Sequence, residues 1–245
     1  MLRSEVSMKV LWTIRVILFY LGIGLATVLF GASSPIIFLF PDKIRYFIIT
    51  RWSHFFIAWA KKTVGLQYRT KGQVPHKAHS VVVISNHQSA WETVFMQTLL
   101  PTQSWVLKQE LLYIPFFGWG LALLKPVAIK RQKRGAYHQV ISKGTQRLRE
   151  DRWVVIFPEG TRVLPGHHHR FAKGGASLAI EAQSPILPIA HNAGQFWPRG
   201  WWITKPGTIQ VSIGPLIHPK TGESAQELIS RVEQWIRTEM SNIHE

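Results

Sequence analysis

The fold of this chain is decided by the stretch Val81-Val82-Val83-Ile84-Ser85-Asn86-His87-Gln88-Ser89-Ala90-Trp91-Glu92. Its first four residues form an unbroken apolar run, which is typical of a strand buried on both faces of a sheet. His87 then stands where the strand ends, and α/β folds place their chemistry at the carboxyl ends of strands. Glu92 follows five positions after His87. The stretch therefore predicts an α/β domain with a histidine–carboxylate pair at one edge of its sheet.

Two interpretations of His87 and Glu92 fit this spacing. A neutral imidazole has a pKa of about 6.5, so a carboxylate that orients it lets it accept a proton from a hydroxyl near pH 7. The pair would then catalyse transfer of a group to a hydroxyl. Alternatively, Ser89-Ala90-Trp91-Glu92 is a capping box, in which Glu92 accepts from the Ser89 amide and His87 is only a loop residue. No second histidine stands four positions from His87, so a helical zinc pair is excluded.

A second motif, Phe157-Pro158-Glu159-Gly160-Thr161-Arg162, also follows an apolar run, Val154-Val155-Ile156. Proline and glycine in this order predict a turn. Gly160 would let the backbone approach a ligand, Thr161 offers a hydroxyl, and Arg162 can bind a phosphate through two hydrogen bonds. Glu159 would hold either Arg162 or a substrate hydroxyl in place.

After Gly65, short apolar runs alternate with helical patterns, which is typical of an α/β fold. The predicted strands are Val81–Ser85, Trp105–Leu107, Pro126–Ile129, Trp153–Phe157, Ile186–Ala190 and Thr208–Ile213. The predicted helices are Trp91–Leu100, Gly135–Arg149, Gly174–Gln183 and Ala225–Met240. A second capping box at Ser224–Glu227 begins the last helix, whose apolar stripe should pack on the body: Leu228, Val232, Trp235 and Ile236. We therefore expect a catalytic domain over residues 65–245.

The amino end predicts a membrane anchor over residues 1–64. The segment from Val16 to Pro41 carries no charged residue; as one helix it would extend about 39 Å, more than the roughly 30 Å hydrocarbon core of a bilayer. Gly31–Pro35 interrupts it, so we expect either a single span or a hairpin that enters and leaves the same leaflet. A cleaved signal peptide is a third interpretation, because small residues stand at Gly31–Ser33. Basic residues on both flanks mildly favour cytoplasmic ends, and hence an inner-membrane protein whose active site faces the cytoplasm.

The segment from Lys43 to Lys62 predicts an amphipathic helix. Its apolar residues recur at steps of three and four, and the stripe they form comprises Ile44, Ile48, Trp52, Phe55 and Trp59. Such a stripe suits either the bilayer interface or the protein core. The aromatic segment Phe196–Trp202 allows the same two interpretations.

The net charge and the residue composition limit the kinds of molecule that this protein is expected to bind. The net charge of +16 predicts an anionic partner, either nucleic acid, acidic lipid or a polyanionic substrate. No nucleic-acid-binding motif is present, so we expect a lipid rather than a nucleic acid. The absence of cysteine excludes disulfides and thiolate chemistry. His167–His169 has no second ligand cluster, so no metal site is expected.

Taken together, these motifs resemble the glycerolipid acyltransferases, and within them the bacterial-type 1-acylglycerol-3-phosphate O-acyltransferase branch. That family carries N-H-x-S-x-x-D where this chain has Asn86–Glu92, and F-P-E-G-T-R at Phe157–Arg162. Three further segments are similar to the family's pattern, in the same order: Lys108–Gly118, Ile129-Lys130-Arg131 and Ile186–Ala190. The chain departs from the pattern in having Glu92 where the family usually has Asp, and Lys130 where it often has an acidic residue.

The resemblance implies a mixed central sheet flanked by helices, with a membrane-embedded helical segment before it. It also implies transfer of a fatty acyl group from acyl-CoA or acyl-carrier protein to the 2-hydroxyl of lysophosphatidic acid, which gives phosphatidic acid without a cofactor. His87 would be the general base and Glu92 would orient it, with direct attack on the thioester and no acyl-enzyme. The substrate-binding residues it implies are Lys108, Arg131, Glu159, Gly160, Thr161 and Arg162.

Three questions stay open from the sequence. The oxyanion donors are either amides near Gly160 or those at the helix start after Ser89. The acceptor could be another lyso-lipid, such as a lyso-ornithine lipid, instead of lysophosphatidic acid. A membrane-tethered protein that binds anions without catalysis is the alternative from another class.

Overall fold

The computed structural model describes residues 2–130 and 135–244. The helices are α1 (Leu2–Ala32), α2 (Ser34–Phe38), α3 (Asp42–Val64), α4 (Trp91–Leu99), α5 (Phe117–Ala122), α6 (Ala136–Arg149), α7 (Gly174–Glu181) and α8 (Ala225–His244). The strands are β1 (Leu66–Lys71), β2 (Val82–Ser85), β3 (Gln103–Lys108), β4 (Val127–Ile129), β5 (Trp153–Ile156), β6 (Ile186–His191) and β7 (Gly207–Ile213). Short 3₁₀ helices cover Gln109–Tyr113 and Ala193–Gln195.

The strands form one mixed sheet in the order β1-β7-β6-β2-β5-β3-β4. Only β6 and β7 pair antiparallel; the other neighbours are parallel. Successive side chains of a strand point to opposite faces, so Val83 packs in the cluster under α3 and α4 while Val82 packs against α7 and α8. Both faces are thus covered by helices, which is why the strands are continuous apolar runs. The α/β class and the mixed central sheet predicted from the sequence are confirmed.

Each predicted strand and helix of the body is present, with its ends moved by a few residues. The apolar stripe of α8 packs on the body, with Leu228, Val232 and Ile236 fully buried and Trp235 partly so. The sequence does not predict β1, because five of its six side chains are exposed and show no apolar alternation. It also does not predict α5, whose short Phe-Gly-Trp-Gly-Leu-Ala sequence contains two poor helix formers.

Helices α1 and α3 form an antiparallel hairpin. The indole N–H of Trp59 donates to the Phe19 carbonyl at 3.2 Å, and that of Trp52 donates to the Thr27 hydroxyl at 3.1 Å. The predicted interruption is present, because α1 ends at Ala32 and α2 begins at Ser34. Within the described chain, one helix segment, Ser7–Ala32, is long and apolar enough to cross a membrane.

Helix α1 starts at Leu2, well before Val16. Arg15, whose side chain could have extended toward the lipid surface, instead donates to the Thr63 carbonyl at the end of α3. A cation is favourable there because the carbonyls at a helix C-terminus are negative. One face of α1 is buried in the protein at Val16 and Phe19, and the opposite face exposes an apolar stripe: Val10, Ile14, Ile17, Leu21, Leu25 and Val28.

Helix α3 buries a face next to the predicted stripe. Its buried apolar residues are Ile49, Phe56, Ile57, Ala60 and Val64. Of the predicted stripe, Ile44 and Phe55 are exposed, and Trp52 and Trp59 are half-buried against α1. The predicted helix is present, and the face that it buries is rotated by about one residue from the stripe, because the helix contacts α1 on one side and the body on another. The placement of the exposed part of the stripe at the bilayer interface stays a prediction. The boundary between an anchor and a catalytic domain at residues 64 and 65 stays a prediction.

Candidate active site

Parallel pairing brings the predicted motifs to one edge of the sheet. Strands β2 and β5 are neighbours, with Ile84 opposite Ile156, so the loops that follow them leave the same edge side by side. Strands β3 and β4 continue this edge, with Lys108 opposite Ile129. The His87 loop, the Phe157–Arg162 loop and Lys108 therefore lie together.

His87 and Glu92 form a hydrogen-bonded pair. The His87 Nδ1 lies 2.8 Å from Glu92 Oε1, and the Glu92 side chain is buried. The same oxygen accepts the amide N–H groups of Gln88 at 3.0 Å and Ser89 at 2.9 Å. The contacts of both interpretations are thus present at once, since Glu92 joins the helix start to the imidazole.

The surroundings keep Glu92 ionised and His87 oriented. Burial alone would raise the pKa of Glu92, but the hydrogen bonds from His87 and from the Ser89 amide hold the pKa of this carboxyl below its usual value. With Nδ1–H donated to Glu92, a neutral His87 keeps the lone pair of Nε2 free. The imidazole stacks on the Phe157 ring, with centroids 4.2 Å apart and planes at 13°. This packing fixes the direction in which Nε2 points.

A second buried histidine, His191, holds the peptide before His87. Its Nε2–H donates to the Asn86 carbonyl at 2.9 Å, and its Nδ1 accepts from the Ala193 amide at 3.3 Å. The Asn86 side chain in turn bonds both the backbone N–H and the carbonyl of His191, at 3.1 and 2.9 Å. Burial lowers the pKa of His191, which keeps it neutral. Sequence reasoning missed His191; its position directly after the apolar run Ile186–Ala190 is the one signal that marks it.

Glu159 contacts the backbone of His87. Its Oε2 accepts the His87 N–H at 2.6 Å, while the Val163 N–H donates to the His87 carbonyl at 2.8 Å. Burial raises the pKa of Glu159 to about 7, and the charge of Glu92 adds to the rise. The loop after β5 therefore braces the His87 peptide from both sides. No hydrogen bond or ion pair between Glu159 and Arg162 is found in the described residues.

A central cavity of about 500 Å³ opens from this edge between α1, α3, α4 and α5. This volume lies within the range of small-molecule sites. His87 and the predicted residues Lys108, Gly160, Thr161 and Arg162 line its sheet end. Its other walls are largely apolar and include Phe30, Ile49, Trp52, Phe116, Leu121 and Leu124. Gly160 has φ +70 and an added Cβ would meet open space, so glycine serves the turn there rather than a close contact.

The cations at the sheet end have no acidic partner in the part of the chain that the structure describes. Neither Lys108 nor Arg162 makes an ion pair within residues 2–130 and 135–244. Arg199, which the sequence did not assign to the site, lines the same cavity. Lys130 is exposed and is not part of the lining. Arg131 was predicted to bind substrate and lies outside the described residues.

Of the amides near the two predicted oxyanion sites, those of Ser89 and Gly160 themselves are occupied within the protein. The Ser89 amide donates to Glu92, and the Gly160 amide donates to the Phe157 carbonyl at 3.1 Å. In the described chain, the amides of Thr161 and Arg162 donate to no protein acceptor. These two N–H groups follow Gly160 directly and belong to residues that line the cavity.

An apolar cavity with a histidine–carboxylate pair at one end is suited to acyl transfer, and comparison with known proteins agrees. The acyltransferase family matches residues 65–192. A Pseudomonas aeruginosa protein named 1-acyl-sn-glycerol-3-phosphate acyltransferase is 43% identical, over 96% of this chain and 94% of the relative. Human 1-acyl-sn-glycerol-3-phosphate acyltransferase alpha is 37% identical over 64% of this chain and 57% of its own length.

The fold has a solved counterpart. The crystal structure of the 1-acyl-sn-glycerophosphate acyltransferase PlsC from Thermotoga maritima superposes with a TM-score of 0.80 and 23% identity, covering 96% of this chain and 97% of that one. The chain belongs to the acyltransferase family, and it is an enzyme of that class.

Proposed function

We propose that this enzyme transfers a fatty acyl group from acyl-CoA or acyl-carrier protein to the 2-hydroxyl of 1-acylglycerol-3-phosphate, which yields phosphatidic acid. The observation that carries the proposal is the 2.8 Å contact between His87 and Glu92 at one end of the apolar cavity, beside cations with no acidic partner. The printed names of the Pseudomonas aeruginosa and human relatives support this substrate.

In the proposed mechanism His87 is the general base. Its Nε2 takes the proton of the 2-hydroxyl while the hydroxyl oxygen attacks the thioester carbonyl, a form of catalysis that typically contributes about 10² to 10⁴ in rate. Glu92 stabilises the imidazolium that forms. When the tetrahedral intermediate collapses, the carbon–sulfur bond breaks and the imidazolium returns its proton to the leaving sulfur. The acceptor oxygen attacks directly, so no acyl-enzyme forms.

The developing oxyanion needs hydrogen-bond donors. The amides of Thr161 and Arg162 are the candidates, because they lack protein acceptors and lie in the loop that braces His87. Donors already placed before the reaction stabilise the transition state without reorganisation, which is why such groups contribute strongly to catalysis.

The phosphate of the acceptor and the acyl chain of the donor require different surroundings. The phosphate would bind Arg162 and Lys108, and Arg131 of the basic motif is a further predicted contact. The guanidinium of Arg162 can donate two parallel hydrogen bonds to phosphate oxygens. The apolar walls of the central cavity suit an acyl chain, since burying methylene groups there gains about 0.8 kcal/mol each.

We further propose that the α1–α3 hairpin embeds the protein in one leaflet of the inner membrane, with the active site facing the cytoplasm. Helix α1 contacts the body at Trp12 and again at its C-terminal end: Trp12 Nε1 donates to the Ile203 carbonyl at 3.0 Å, and a Cβ on Gly31 would lie 2.4 Å from the Phe116 carbonyl oxygen. The helix thus runs along the body and turns its exposed apolar stripe outward.

The test is an assay of purified enzyme in lipid vesicles with labelled acyl-CoA or acyl-carrier protein. The acceptors would be lysophosphatidic acid, a lyso-ornithine lipid and a lysophospholipid with a head group. We expect preferential acylation of lysophosphatidic acid, and its loss in His87→Ala. His76→Ala changes an exposed loop histidine and should leave turnover intact. Retained turnover in folded His87→Ala, or preference for another acceptor, would contradict the proposal.

A further inference from the structure

Arg199 is a cation at the candidate active site that lies outside the motifs quoted from the sequence. It lines the central cavity together with Lys108 and Arg162. Within the described residues Arg199 makes no ion pair or side-chain hydrogen bond, and it is an exposed residue of a loop. The positive charges of Lys108, Arg162 and Arg199 repel one another. Because no carboxylate of the described residues pairs with them, they favour the binding of an anionic ligand in the cavity.

The loop that carries Arg199 is packed firmly on the hairpin. Two positions before it, Trp197 is buried, stacks on Phe56 of α3 with centroids 6.0 Å apart and meets Phe19 of α1 edge-on at 5.6 Å. Two positions after it, the Trp201 carbonyl accepts the hydroxyl of Tyr20. The loop is therefore fixed by contacts on both sides of Arg199. These contacts hold Arg199 at the wall of the cavity.

We infer that Arg199 binds the phosphate monoester of the acceptor jointly with Arg162, and that α1 positions it through Tyr20. This inference rests on the proposed function. A phosphate monoester carries close to two negative charges near neutral pH, which a single guanidinium neutralises only in part. A second guanidinium would supply the remaining charge and further hydrogen bonds. The residues of the membrane hairpin then take part in acceptor selection as well as in attachment.

The experiment measures kcat and KM of the full-length enzyme in vesicles for lysophosphatidic acid and for a lysophospholipid whose phosphate is a diester. Arg199→Ala should raise KM for lysophosphatidic acid by about tenfold or more, the effect of one lost charge-assisted contact. Its kcat should stay unchanged, because the lost interaction is equal in ground and transition states. The KM of the diester should change less. Arg199→Lys, which keeps the charge and loses the planar fork, should lie between.

Lys205→Ala is the matched control. Lys205 lies in the same loop, with its ammonium 5.5 Å from the centre of the Phe196 ring, and it is not part of the cavity lining. This variant should keep the wild-type KM. If Arg199→Ala behaves like Lys205→Ala while Arg162→Ala raises KM, Arg199 is not a ligand and the proposed function stands. If wild-type enzyme does not acylate lysophosphatidic acid, the proposed function itself fails.

Tyr20→Phe tests the contribution of the hairpin. It removes only the hydroxyl that bonds the Trp201 carbonyl, so KM should rise in the same direction as in Arg199→Ala but by less. Because both changes act through the same guanidinium, the double variant should show less than the sum of the two free-energy effects. Full additivity would overturn the positioning role of Tyr20.

Discussion

Glu92 contacts both the start of α4 and His87, and its amide analogue separates these structural contacts from its proposed part in catalysis. In Glu92→Gln the side-chain oxygen can still accept from His87, Gln88 and Ser89, so the helix start and the imidazole tautomer are retained. The lost charge no longer stabilises the imidazolium. We expect kcat to fall about a hundredfold or more with little change in thermal unfolding.

The chain offers a control for this variant at its second capping box. Glu227 accepts the Ser224 amide at 2.8 Å at the start of α8, outside the cavity lining. Glu227→Gln should leave kcat unchanged. Full activity in a well-folded Glu92→Gln variant would limit Glu92 to its capping role.

Glu159 makes stability depend on pH in a specific direction. Its pKa is about 7 in the folded protein, against an ordinary value of 4.5, so the folded state holds more protons than the unfolded state between these values. Stability contributed by this group therefore falls as pH rises from 4.5 toward 7. Glu159→Gln cannot ionise and can still accept the His87 amide. The variant should gain melting temperature relative to wild type as pH rises between about pH 5 and pH 8.

Glu239, whose pKa is shifted in the opposite direction to that of Glu159, is a control for the direction of this pH dependence. The hydrogen bond from Ser212 holds the pKa of Glu239 below its usual value, so Glu239 stabilises the fold above its unfolded pKa. Glu239→Gln should lose melting temperature relative to wild type as pH rises through the carboxyl range. If the melting temperatures of Glu159→Gln and Glu239→Gln, each relative to wild type, changed in the same direction with pH, the pKa values of the two carboxyls would not be shifted in opposite directions.

At the scale of elements, α5 forms part of the cavity wall through Gly120. A Cβ there would meet Ile49 at 3.5 Å, an ordinary contact, so a larger side chain can be accommodated by extending into the cavity. Gly120→Leu should shorten the space for the acyl chain and reduce kcat/KM for long acyl donors relative to short ones by roughly tenfold or more. Ala122→Leu on the same helix is exposed and should leave chain preference unchanged. Competition between labelled donors of different length measures the ratio.

The elements also show what the sequence could predict. The meeting of His87 with the Phe157–Arg162 loop was predictable in outline, because each motif follows an apolar run typical of a buried parallel strand. The proton transfer and phosphate binding expected at these strand ends were inferred from the two motifs alone, without the positions of the helices. His191 was not predictable, since its contacts with Asn86 depend on β6 lying beside β2.

The hairpin was harder to predict for a physical reason. A helical segment without charged residues, as α1 is from Val16 to Ala32, has no face that the sequence marks as the one to bury. For α3, the periodicity selects one apolar stripe but does not show that α1 covers Trp52 and Trp59 while the body covers the neighbouring face. The role of α1 as a wall of the cavity, through Thr27, Phe30 and Gly31, follows only from the tertiary packing.

At the scale of the whole molecule, the helices that we propose to attach the protein to the membrane also form walls of the central cavity. Helix α1 is about 46 Å long, enough to cross a bilayer, yet it contacts the body from Trp12 to Gly31. In the proposed one-leaflet arrangement this part of α1 stays on the body and does not span the membrane. Exposed lysines lie near both ends of α3, at Lys43, Lys61 and Lys62. In the proposed arrangement they would bind anionic lipid head groups.

Because the chain contains no cysteine, single cysteines report this topology without background. Ser7→Cys lies near the start of α1, and Arg69→Cys lies in β1 just beyond α3; both positions are exposed. In sealed inner-membrane vesicles with the cytoplasmic face outward, a membrane-impermeant maleimide should label both variants if the hairpin occupies one leaflet. A single span would place the two on opposite sides, so that Ser7→Cys would react only after detergent is added. That second pattern would exclude the hairpin and would require α1 to leave the wall of the cavity.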